Sequence, residues 1–281
     1  MSLVAPRLDH VVIDTRDRID DALAVYRSLG FFLTARSTHT LGSVNHLAVF
    51  EVTYLELLGF GASGVPRPDI AQFPIGLNGL VFNTQSADDL FRELQSKDLP
   101  VNPPQSFSRP MALARSIEQV RFRAVRMPDA ASFGRVYFCQ HLTPELVWRR
   151  EWMHHPNGAI ALTKVSIAAG SPSGSADIFR RLFGPETVSC GSSASCKLTA
   201  GAVTIELVEP GALQEELRDA FPMPSGRKDF VARLGIRITS LSKTAGVLRS
   251  NGIPFVAEDG KLLVPAHAAI NVALELTERG A

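Results

Sequence analysis

The chain repeats itself at a fixed offset, which limits it to an architecture of two similar halves. Leu8-Asp9-His10-Val11-Val12-Ile13 reads as an apolar strand with β-branched residues, and Leu162-Thr163-Lys164-Val165-Ser166-Ile167 reads as a weaker copy. The two start 154 residues apart, as do Gly30 and Gly184, while Glu56 and Glu206 are 150 apart. A second segment repeats independently at 154: Leu94-Gln95-Ser96-Lys97-Asp98-Leu99-Pro100-Val101 is similar to Leu248-Arg249-Ser250-Asn251-Gly252-Ile253-Pro254-Phe255. Two halves are therefore expected, 1–153 and 154–281, meeting at the turn cluster Met153-His154-His155-Pro156-Asn157-Gly158.

Each half divides again. A strand over 8–13 precedes a helix over 20–29, which Gly30 closes as a left-handed stop. Strands are predicted over 31–34, 46–50 and 52–58. The second unit opens with a strand over 77–83 and a helix over 87–99, and strands follow around 119–126 and 135–141. Third and fourth units start at Leu162 and near Arg233. Strand, helix, then about three strands predicts an α+β fold with helices set apart from mostly antiparallel strands.

Composition narrows the function classes. Hydrophobic residues make up 45% and charged ones 20%, enough for a sizeable core and against global disorder. With 29 basic and 28 acidic residues, no general affinity for nucleic acid or anionic membrane is expected. No apolar run is long enough to span a membrane, and the first residues lack the apolar core of a secretory signal. Three cysteines, Cys139, Cys190 and Cys196, predict no disulfide framework and a reducing cytoplasm. Cys190 and Cys196 lack the further ligands of a structural zinc site.

The residues of this plan resemble the vicinal oxygen chelate superfamily (the glyoxalase/bleomycin-resistance/dioxygenase fold), and most closely its glyoxalase-like branch. The resemblance is carried by Leu8-Asp9-His10-Val11-Val12, Leu29-Gly30-Phe31, Gly42-Ser43-Val44-Asn45 and Tyr54-Leu55-Glu56-Leu57. Residues 138–148 and His155-Pro156-Asn157-Gly158 add to it. It implies four βαβββ units forming two paired, cupped mixed β-sheets with helices on the outer faces. In superfamily enzymes the cup holds a metal and the substrate, with ligands on the first and last strands of each unit.

Alternate residues of a strand share a face, so His10 and Glu56 can both line one cup. In the second unit, Gly79 aligns with His10 and offers no ligand. His141-Leu142-Thr143 aligns with Glu275-Leu276-Thr277, which places His141 where other units carry glutamate. The expected metal site is therefore His10, Glu56 and His141, a donor set that Zn, Fe, Mn or Ni accepts. The alternative is a half-buried histidine satisfied by backbone or carboxylate. In the second half Lys164 replaces His10, and an ammonium paired with Glu206 or Glu275 suggests a salt bridge in place of a metal.

Asn45 is a candidate substrate partner, with a turn-stabilising role as the alternative; His46 should face the other way. Arg121 and Arg123, with Arg115 beside them, could clamp a substrate anion or simply form a solvated face. Tyr54, Phe60 and Phe82 are candidate aromatic walls. Residues 107–110 read as a loop that could cover the cup, His154 and His155 as surface or interdomain residues, and Trp148 and Trp152 as packing between the halves. The function expected is a metal-dependent lyase, isomerase or dioxygenase-type enzyme with Glu56 as ligand and base, acting on a small oxygenated substrate. The alternative is a metal-free small-molecule binding or drug-sequestering protein. Either a monomer, as a pseudo-dimer, or a homodimer fits.

Overall fold

The computed structural model describes residues 5–61, 68–112, 116–192, 194–224 and 226–278. The first sheet holds β1 (Leu8–Arg16), β2 (Ser37–Thr38), β3 (Ser43–Val49), β4 (Tyr54–Phe60), β5 (Gly76–Asn83), β6 (Gln105–Ala112), β7 (Ile117–Met127) and β8 (Arg135–His141). The second holds β9 (Ala159–Ala168), β10 (Val188–Ser192), β11 (Ser195–Ala200), β12 (Val203–Val208), β13 (Phe230–Ile238), β14 (Val256–Glu258), β15 (Lys261–Val264) and β16 (Ala273–Glu278). Their orders match: β2-β3-β4-β1-β5-β8-β7-β6 and β10-β11-β12-β9-β13-β16-β15-β14. Within a sheet the first strands of two units lie antiparallel, β1 on β5 and β9 on β13. Each first strand pairs in parallel with the last strand of its own unit, as β1 does with β4. This is the expected α+β plan of cupped mixed sheets.

One face of each sheet carries the paired helices, while in the second sheet helix Pro210–Leu217 packs on the opposite face against Ala168, Ala232, Leu263 and Ala273. Ile19–Ser28 turns Ala22 and Tyr26 inward, and Ala87–Ser96 turns Leu90 and Leu94 inward. Ser86 caps the second helix, its Oγ accepting from Asp89 N at 3.2 Å. These faces of both sheets share one continuous core. Phe82 packs against Phe179 and Phe183 of the other half, and Tyr26 Oη donates to Ala269 O at 3.2 Å. Phe82 therefore belongs to this core and not to a cup wall.

Three expectations fail for identifiable reasons. The strand predicted over 31–34 is absent; Phe31 and Leu33 alternate because they dip into the core, and pairing is limited to Ser37–Thr38. Residues 107–110 form part of β6, the edge strand of the sheet, where Pro110 needs no ladder hydrogen bond on its open side. Against the expectation of no disulfide framework, Cys190 and Cys196 face each other across the β10–β11 hairpin and are joined in a disulfide. Among the described residues no helix is long and apolar enough to cross a membrane.

Candidate metal and substrate site

The concave face of the first sheet encloses a cavity of about 100 Å³, room for a small ligand. His10, Asn45, Tyr54, Glu56, Arg109, Phe122, Tyr137 and Cys139 are among its lining residues. The period of two explains most of them: β4 turns Tyr54, Glu56 and Leu58 inward, and β8 turns Tyr137 and Cys139 inward. Phe138, between the last two, points into the shared core.

Asp9 breaks that alternation. On β1, Leu8 pairs with Phe82 and His10 with Val81, so Asp9 is an extra residue opposite one step of β5. Such a bulge re-aims a side chain, and here it brings Asp9 to the same cluster as His10. Asp9 Oδ1 accepts from His10 Nδ1 at 2.6 Å and from His141 Nε2 at 2.9 Å. Its Oδ2 accepts from Asn83 Nδ2 at 3.0 Å. Burial alone would raise the Asp9 pKa, but the charges and hydrogen bonds of His141 and His10 outweigh it. The carboxyl is held well below the usual range and stays ionised. A sequence reading that assigns one face to alternate residues passes over this position.

His10 is fixed on all sides. Tyr54 stacks on its ring at 4.2 Å between centroids, and Tyr137 meets its edge at 6.3 Å. With Nδ1 bonded to Asp9, Nε2 faces Glu56 Oε2 at 3.8 Å. Asn45 Nδ2 donates to the other Glu56 oxygen at 2.7 Å. His46 points the other way and bonds Thr34 O at 2.8 Å.

The ligand atoms of Asp9, His10 and His141 lie within 4.8 Å of one another, and Glu56 stands outside that cluster, adjoining it through His10. This differs from the expected triad of His10, Glu56 and His141, and strand register gives the reason. Leu80 pairs with Val136 in the first sheet and Leu234 with Leu274 in the second, so Glu275 is level with Tyr137. His141 lies two strand repeats further along β8, level with the start of β1, where it meets Asp9. Its ring packs on Trp148 at 4.7 Å, and Trp148 in turn lies 5.8 Å from Tyr54. Trp148 and Trp152 thus pack on the concave face of the first sheet and not between the halves.

The donors suit a divalent first-row ion: two imidazoles and two carboxylates, all near-buried, with His141 Nδ1 lacking any hydrogen-bond partner. The span from His10 Nε2 to Glu56 Oε2 is one that bonds of about 2.0–2.2 Å can bridge. An Asp9 carboxylate behind His10 is the usual support of a metal-bound imidazole.

Arg121 and Arg123 do not enter the cavity. Val120, Phe122, Ala124 and Arg126 take the inward face of β7, so the alternate arginines point away, and Arg123 pairs with Asp88 of the outer helix at 2.5 and 2.8 Å. Arg115 lies outside the described residues. The arginine that does reach the cup with a buried guanidinium is Arg109, on the segment first read as a loop. His155 is buried between Phe31 and Phe50, with Nδ1 accepting from Phe32 N and Nε2 donating to Val49 O, both at 3.0 Å.

Among the described residues the second cup shows no such cluster. Lys164 bonds Glu275 at 2.8 Å, as the sequence suggests. Ser166 Oγ donates to Glu206 Oε1 at 2.6 Å, and Arg233 Nη2 reaches the same oxygen at 2.6 Å.

A family model described as glyoxalase-like domain matches residues 8–183. No curated protein sequence matches the chain. Among solved structures, a hypothetical protein from Staphylococcus aureus is similar at 11% identity and a TM-score of 0.70, covering 98% of this chain and 100% of that one. A 4-hydroxymandelate synthase variant from Streptomyces coelicolor is similar at 13% identity and a TM-score of 0.59, covering 99% and 94%. The Mn(II)-bound glyoxalase from Novosphingobium aromaticivorans is similar at 11% identity and a TM-score of 0.58, covering 99% and 83%. At these identities the likeness is one of fold, and the family match supplies the rest: the chain belongs to the glyoxalase-like domain family of the vicinal oxygen chelate superfamily.

Proposed function

We propose that this protein is a metal-dependent enzyme of the vicinal oxygen chelate type, acting on a small oxygenated substrate in the cup of residues 1–153. The observation that carries the proposal is the convergence of Asp9, His10 and His141 beside Glu56, with His10 and Glu56 lining a small cavity. Similarity to a manganese-bound glyoxalase and to 4-hydroxymandelate synthase supports the same reading. His10 and His141 with Glu56 or Asp9 would hold a divalent ion, which in such a site polarises a carbonyl or holds two substrate oxygens.

The chain's own residues then divide the work. Asp9 fixes the His10 tautomer, leaving Nε2 toward the cavity. Asn45 holds Oε1 of Glu56; Oε2 can take a proton from the substrate where Asp9 and not Glu56 completes the ion's donors. Burial pushes the Tyr54 hydroxyl and the Cys139 thiol well up, so both stay protonated; Tyr54 can donate a hydrogen bond, and Cys139 is no nucleophile. Residues 154–281 act as a supporting half.

The test is metal analysis of protein purified without chelator, followed by titration with Zn, Mn, Fe and Ni. Stoichiometric binding that is lost in His10→Ala is expected. No bound metal and no binding on titration would sink the proposal. One observation favours the second reading, a metal-free binding protein: the two nitrogens that converge, His10 Nδ1 and His141 Nε2, are both already bonded to the Asp9 carboxylate. Ligand affinity that survives the His10→Ala, Glu56→Ala double change would favour it.

A further inference from the structure

Arg109 sits on β6 with its side chain lining the first cup, and it is only 3% exposed. Its Nε and Nη2 are buried and have no hydrogen-bond partner. Among the described residues it has no ion pair either. That is an expensive state, because a buried cation is normally paired and bonded. Arg233 shows the ordinary arrangement in this same chain, with Glu206 and Glu275 on its guanidinium. The acidic groups acting on Arg109 are Tyr54, which stays neutral, and Glu56, whose Oε1 is already committed to Asn45. Its other neighbour is the face of Phe122, 5.9 Å from the guanidinium carbon.

We propose that Arg109 receives the carboxylate of the ligand, so that this cup takes a small monocarboxylate with an apolar body. The inference rests on the reading that the first cup is the binding site. Nε–H and Nη2–H share one edge of the guanidinium, the fork that matches two carboxylate oxygens. The ligand supplies the acceptors that the protein withholds. One carboxylate is enough to satisfy those two N–H groups, and the other arginines lining the cavity, Arg126 and Arg135, are already bonded to Gln105 and Asn78. Phe107 and Phe122, stacked 5.1 Å apart at 20°, offer a flat apolar wall beside the guanidinium for the rest of the molecule.

The experiment compares phenylacetate with its neutral isostere phenylacetamide, a series of monocarboxylates down to acetate, and inorganic phosphate. Binding is measured by calorimetry on wild-type protein, Arg109→Met and His10→Ala. Wild-type protein should prefer the acid by roughly 10- to 100-fold, the worth of a charge-assisted pair. Arg109→Met should lose that preference while keeping any metal stoichiometry, and His10→Ala should keep the preference. Should the methionine variant not fold, Arg109→Lys takes its place, with the preference reduced because a point charge replaces the fork. Equal affinity for acid and amide, a preference undiminished when position 109 is changed, tighter binding of phosphate, or no binding by any probe overturns the inference. If metal analysis and titration both find no metal but the preference persists, this inference stands while the metal reading falls.

Discussion

Arg233 holds in the second sheet the place that Gly79 holds in the first. Gly79 pairs with Val12 and Arg233 with Ser166, and Val12 and Ser166 match at the 154-residue offset. A Cβ on Gly79 would lie 2.8 Å from Val12 Cβ, so this position admits no side chain and the first cup stays open. In the second, the arginine fills the cup and binds Glu206, Glu275 and Glu216, the last from helix Pro210–Leu217. The same sheet thus carries a cavity in one half and an ion cluster in the other.

Arg233→Met should lower the unfolding free energy by about 3–5 kcal/mol, because it strands buried carboxylates without their cation. Urea denaturation measures this, and metal stoichiometry should not change. A loss below about 1 kcal/mol would mean that Lys164 and Lys261, which already approach Glu275, suffice on their own.

Asp9→Asn should weaken metal binding roughly 10- to 100-fold, since the amide keeps the shape but not the charge that orients His10 and His141. Titration calorimetry with the metal that the wild-type protein prefers gives the readout. Unchanged affinity would show that Asp9 merely fills space.

His155 should make the protein acid-sensitive. Burial depresses its folded pKa to about 4 from an ordinary 6.5, and Phe32 N needs Nδ1 unprotonated. The unfolded chain takes up the proton first as pH falls, so this contribution is complete above pH 6.5 and is lost progressively down to pH 4. Its full size is about 3 kcal/mol. Stability curves against pH should be flatter across that window in His155→Gln, and identical slopes would contradict the account.

Gly30→Ala should cost more than about 2 kcal/mol. Gly30 has φ +84, and an added Cβ would come within 2.7 Å of Val247 Cγ1 and 2.8 Å of Asn157 Cβ. Asn157 is also tied to this turn, donating to Leu29 O at 2.9 Å. Thermal unfolding of the variant checks the size; a change within error would mean that the helix end shifts freely.

The four-unit plan is written in local patterns, and those are legible. The strand predicted around 135–141 is β8, Arg135–His141, and the helix predicted over 87–99 starts at Ala87 and ends at Ser96. Gly30 was readable as a stop because a left-handed helix end has few other residues to choose from. Arg109 was hidden because Pro and Ser around it look like a loop, and only an edge strand tolerates them. The β10–β11 disulfide was hidden because cysteine spacing says nothing of which residues face across a hairpin.

By itself the sequence determined the class of fold, the two matching halves, the inward direction of His10 and Glu56, and the Lys164–glutamate pair. These follow from periods of two and 3.6 and from a repeat, all of which are properties of neighbouring residues. Tertiary structure alone decided that Asp9 joins His10, that Tyr137 and not His141 stands level with Glu275, and that Arg109 is an arginine buried in the cup. Each depends on a bulge or on the register between strands far apart in the chain. One residue of slip there turns a side chain from one face to the other, and no local pattern records it.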